Sequence, residues 1–117
     1  MTDRNDRPDQ IPMNALKAVL KRMTHGYYKL QDSGQDGDYR TRVETKPKEY
    51  FWDHMMFHVR EIKKGERFTG SGDSHAVAIV CDAMLYYEAL MAEDKRREAE
   101  KLETEMLTGE NGVNEEE

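Results

Sequence analysis

Two imidazoles stand one helical turn apart in His54-Met-Met-Phe-His58, with Asp53 beside them. Side chains four residues apart on a helix share a face, and paired histidines at that spacing can hold a metal ion. A zinc-protease signature would require Glu after the first His, but Met55 occupies that place. A third ligand would have to come from His75 or Asp82, and spacing alone places neither. The reading taken is therefore two polar residues flanking an apolar stripe, with no metal and no cofactor assigned.

Thr69-Gly-Ser-Gly-Asp-Ser-His75 is the second stretch with chemical content. Backbone N–H groups ahead of a helix can cradle an anion. The Gly-Lys-Ser/Thr ending of a phosphate loop is missing, however, and Asp73 would repel phosphate. Capping and turning is the expected role. Ser74 beside His75 is no nucleophile–base pair, because neighbours at a helix start face apart and no fixed acid is present after them. Cys81 lies in an apolar run and reads as an inert buried thiol. No catalytic residue is assigned, and the chain is expected not to be an enzyme.

Aromatic and basic residues interleave from Tyr27 to Trp52. Rings that stack on bases beside cations that meet phosphates would make a single-strand nucleic-acid surface. Tyr39, Arg40, Arg42, Lys46 and Lys48 are the candidates for such a surface or for a protein contact. Tyr50, Phe51 and Trp52 are instead assigned to the core.

These residues need elements to position them. The 117 residues make one small domain, with a net charge of -6 and 8 Met and 6 Tyr adding to a modest aliphatic content. The acidic excess lies wholly beyond residue 74, so the overall field does not favour non-specific nucleic-acid binding. The lone cysteine and the lack of an apolar N-terminal segment predict a cytoplasmic protein with no membrane span.

Residues 1–10 are polar and expected to be disordered. Leu16, Val19, Leu20, Met23 and Tyr27 recur at helical spacing from Pro12 and predict a first helix closed by Gly26, its Lys17, Lys21 and Arg22 side in water. Residues 27–46 leave room for a short β-hairpin around the Gln31–Asp38 turn formers, with a mobile loop as the alternative. Pro47 opens a second, aromatic-rich helix that Gly65 ends. Phe68 is expected to pin the connector to the core, and Asp73 or Ser74 to cap the third helix.

That third helix, from Asp73 toward Thr108, is the organising element. Its first half is apolar on most faces, with Val80 and Met84 expected to face the other helices. Its charged second half projects from the body beyond about residue 91, and residues 109–117 form an acidic tail. The fold class is thus mainly α: a three-helix domain spanning 11–108 with a long C-terminal helix. Leu102, Met106 and Leu107 mark the projecting end as a candidate protein contact, with weak self-association at best.

From Tyr50 onward, an amphipathic helix, a Gly-bearing connector ending in Phe68-Thr69, a helix with Ala76-Val77 and Tyr86-Tyr87-Glu88, and the succeeding Glu93-Asp94 resemble the PcfK-like proteins of conjugative plasmids and bacteriophages, with the upstream Leu16–Met23 helix matching that family's first helix. That resemblance implies an accessory protein of a mobile element, and the expected function is a non-catalytic interaction module acting through a protein partner. A nucleic-acid-binding factor, or an acidic inhibitor of a host nucleic-acid-handling enzyme, is the alternative.

Overall fold

A computed structural model of the chain describes residues 6–115, with side chains described to residue 107. After a short 3-10 turn at Pro8–Gln10 come four helices: α1 (Met13–Asp32), α2 (Tyr39–Thr45), α3 (Lys48–Lys63) and α4 (His75–Glu115). Among the described residues there is no strand, only an isolated bridge between Phe68 and Ser74. The mainly α class and the long last helix are as expected.

α4 is the shared partner of α3, α1 and α2. At about 1.5 Å per residue its length outruns the other helices, and its second half stands clear of the body. The core is built on Ala78, Cys81, Leu85 and Ala89 of α4, with Val43, Phe51 and Val19 from the other helices. Small residues on α4 let the neighbouring backbones come close. This explains why Val80 and Met84, expected inside, are 42% and 46% exposed. The helix is apolar on more faces than its three partners can cover. One window of α4 within His75–Leu107 is apolar and long enough to cross a membrane by composition, with mean hydropathy 1.3. In this fold that stretch is the core helix.

Three local expectations are corrected. α1 does not stop at Gly26 but continues to Asp32, where Gly34 at φ 83° turns the chain. A single interior glycine costs only about 1 kcal/mol of helix propensity. The segment read as hairpin or loop contains α2. Asp38 caps it by accepting from the Arg40 N–H, and Thr41 Oγ1 donates to Asp36 at 2.7 Å. Val43 then points inward, and its burial outweighs the β-forming character of Tyr39, Thr41 and Val43. Phe68 does not pin the connector: it is 51% exposed. Backbone hydrogen bonds from Thr69 N–H to Asp73 O and from His75 N–H to Arg67 O hold that loop instead.

α3 begins just after Pro47, and Ser74 Oγ accepts from the Val77 N–H at the start of α4, as expected. Of the aromatic triplet only Phe51 is buried; Tyr50 and Trp52 lie half exposed on either side of it. The expected acidic tail lies outside the residues whose side chains are described, although the α4 backbone is continuous to Glu115.

Candidate functional site

α3 and α4 run side by side, so one turn of α3 meets two turns of α4. His54 and His58 face Asp82 and His75, which are seven residues apart and therefore on one side of α4. His54 Nδ1 lies 2.8 Å from Asp82 Oδ2, and His58 Nδ1 lies 2.7 Å from His75 Nδ1. In the second pair one ring donates and the other accepts, so the two imidazoles hold opposite tautomers. His58, His75 and Asp82 are buried, whereas the His54 side chain is 47% exposed. Burial first, then the neighbouring His54, holds the His58 imidazole below its ordinary pKa and hence neutral near pH 7. One ligand atom from each of His54, His58 and Asp82 lies within 4.8 Å of the others.

His54 and Asp82 form part of the wall of a cleft of about 480 Å³, within the size range of small-molecule sites. The lining is also cationic. α1 contributes Lys21, Arg22, His25 and Lys29, and α2 contributes Arg42. Phe68 and Asp73 from the connector stand at its edge, and Val77, Cys81 and Leu85 supply apolar lining. Arg22 reaches Asp73 at only 3.8 Å, a loose contact. Arg42 Nε is buried without a hydrogen-bond partner, as is His58 Nε2. Such orphaned atoms are unusual, since buried polar groups are nearly always satisfied, and Arg42 is one of the residues lining the cleft. Cys81 is raised above the usual thiol range, chiefly by burial, so it is no nucleophile at neutral pH.

The residues singled out for a nucleic-acid or partner surface divide among separate contacts. Arg40 is held by Asp38 through two hydrogen bonds of 3.0 and 3.1 Å and lies beside the Tyr39 ring. Lys46 lies over the Tyr50 ring, and Lys48 Nζ is paired with Glu93 Oε1 at 3.0 Å. Only Arg42 turns into the cleft. Leu102, Met106 and Leu107 are exposed on the projecting part of α4, remote in sequence from every cleft residue. Sequence reasoning placed Lys21 and Arg22 in bulk water and did not connect Lys29 with them, yet all three line the cleft. The signal was present: Lys21, His25 and Lys29 recur every fourth residue, a cationic stripe on one helix face.

The model of one protein family, described as dATP/dGTP diphosphohydrolase, N-terminal, matches residues 2–100. No curated protein and no solved structure matches the chain. Nothing in the match supports a PcfK-like identity. It also corrects the expectation of a non-enzyme, because the family takes its name from a hydrolase. No contiguous motif marks the candidate site in the sequence, because its lining is drawn from four helices and a connector. Matched over most of its length, the chain belongs to the dATP/dGTP diphosphohydrolase N-terminal family.

Proposed function

We propose that this domain binds a purine deoxynucleoside triphosphate in the cleft between α1, α2, α3 and α4 for hydrolysis to the monophosphate and diphosphate. The observation that carries this reading is the convergence of Lys21, Arg22, Lys29 and Arg42 on one cleft of a chain that is acidic overall. Such a concentration of cations suits a polyanion, and guanidinium groups suit phosphate oxygens through paired hydrogen bonds. The Arg42 Nε that lacks a partner is a donor waiting for such an oxygen.

In the reaction, water adds to the α-phosphorus and the bond to the bridging oxygen breaks. The diphosphate leaves with that oxygen. Charge builds on the leaving group, and Arg22, Arg42 and the lysines stabilise it where it develops. The exposed Phe68 ring at the cleft edge gives a purine a surface on which to stack. The family name supplies the purine class, and the cleft's size and charge supply the polyphosphate.

The test is calorimetric binding of non-hydrolysable analogues of dATP, dGTP, dCTP and dTTP to the full chain, then chromatography of products from the natural nucleotides. Purine analogues are expected to bind more tightly, with monophosphate and diphosphate as products. Arg22→Met and Phe68→Ala are each expected to weaken binding. Equal affinity for purine and pyrimidine analogues, or none for either, refutes the reading.

A further inference from the structure

We propose that His54, His58 and Asp82 form a binding site for one divalent transition-metal cation of the zinc, cobalt or manganese class, in the wall of the cationic cleft. Two observations carry this independently. The first is geometric: one ligand atom from each residue falls within 4.8 Å of the others, two from α3 and one from α4. The second is His58. Its side chain is buried, its Nδ1 is committed to His75, and its Nε2 has no hydrogen-bond partner. A buried imidazole nitrogen with nothing to bind is costly unless something occupies it.

The donor set selects the class of metal. Two imidazoles and one carboxylate suit zinc, cobalt, manganese or iron, whereas magnesium prefers an all-oxygen shell with near-ideal octahedral geometry. Ligands at about 2.0–2.1 Å in a tetrahedral site stand roughly 3.3 Å apart, so the trio must close slightly. His54, the exposed member, has the freedom to do so. The proton that His54 Nδ1 and Asp82 Oδ2 now share at 2.8 Å is displaced to the other ring nitrogen or to water. His75 serves as the outer partner, since a hydrogen bond to the far nitrogen of a ligating imidazole fixes its tautomer.

Three protein ligands leave a position open for water or a phosphate oxygen, and two of the three, His54 and Asp82, line the cleft. Catalytic use of the metal rests on the triphosphate reading. Occupancy of the site does not.

The experiment uses the full chain after exhaustive chelation. Zinc, cobalt, manganese and magnesium chlorides are titrated separately, by calorimetry and thermal melting, without nucleotide. Binding of one zinc or cobalt per chain is expected, with a melting point raised by several degrees, a visible cobalt band and at least tenfold weaker magnesium binding. His54→Ala should abolish the shift and the band. It removes an exposed side chain, so its fold is retained even if His58→Gln or Asp82→Asn misfolds. A shift that survives His54→Ala, or a magnesium response equal to that of zinc, overturns the site. Nucleotide analogues that bind the chelated chain while zinc does not would sink the metal and spare the triphosphate reading. The converse would do the opposite.

Discussion

Arg42→Met separates a ligand-binding arginine from a structural one. The guanidinium enters the cleft from α2, and its Nε is buried without a partner in the free protein. Methionine has a similar length and removes the charge together with the orphaned donor. An unsatisfied buried polar group costs about 1–3 kcal/mol, so replacing it with an apolar group should leave stability unchanged or raise it. Binding should move the other way. A charge-assisted hydrogen bond contributes about 1.5–3 kcal/mol. At about 1.4 kcal/mol per tenfold, losing one such bond raises Kd for a non-hydrolysable dATP analogue roughly 10- to 150-fold. Calorimetry reads the affinity and thermal melting the stability. Arg40→Met is the control on the same helix: its guanidinium is held by Asp38, and its loss should change Kd less than about twofold. If Arg42→Met left Kd within about twofold, or lowered the melting point by many degrees, the arginine would be structural and the reasoning wrong.

The packing sets three further outcomes. Phe51→Ala should cost about 3–5 kcal/mol in urea unfolding, because Phe51 is 1% exposed, whereas Phe57→Ala on the same helix, 45% exposed, should cost about half as much or less; equal losses would show that the assigned core is wrong. A methyl group at Gly37 would collide with the backbone carbonyl of Tyr27, so Gly37→Ala should destabilise the chain by about 1–3 kcal/mol and displace α2 with its Arg42. Gly26→Ala, with open space around it inside α1, should instead stabilise by about 0.5–1 kcal/mol, and the two melting points together check the pairing of α1 with the Gly37 turn. Burial raises the Cys81 pKa, so the folded chain keeps a proton that the unfolded chain loses above about pH 8.5, and stability should fall as pH rises through that value. Cys81→Ala should flatten this part of the pH–stability profile, and alkylation of native protein at pH 8.5 should be far slower than in urea.

Period and punctuation made the helices legible. Apolar residues at three- and four-residue steps, Pro47 ahead of α3 and Ser74 ahead of α4 mark where helices run and begin. Local rules erred where tertiary packing outweighs them: at α2, whose Val43 gains burial as a helix, and at Gly26, whose propensity cost α1 absorbs. The density of apolar residues identified α4 as the central element but not which of its faces would be covered. Val80 and Cys81 are adjacent and both apolar, and only the approach of α1 and α3 decides that Cys81 is inside. The site was hidden for the same reason. His54 and His58 were visible as a pair, but Asp82 lies 24 residues beyond His58, and Arg42 belongs to a segment with ambiguous local preferences. The cationic stripe of α1 looked like a solvated face because a sequence does not show what stands opposite it. Long-range contacts brought those charges into one cleft with the His54–Asp82 pair, and the cleft exists only because four separate helices meet around it.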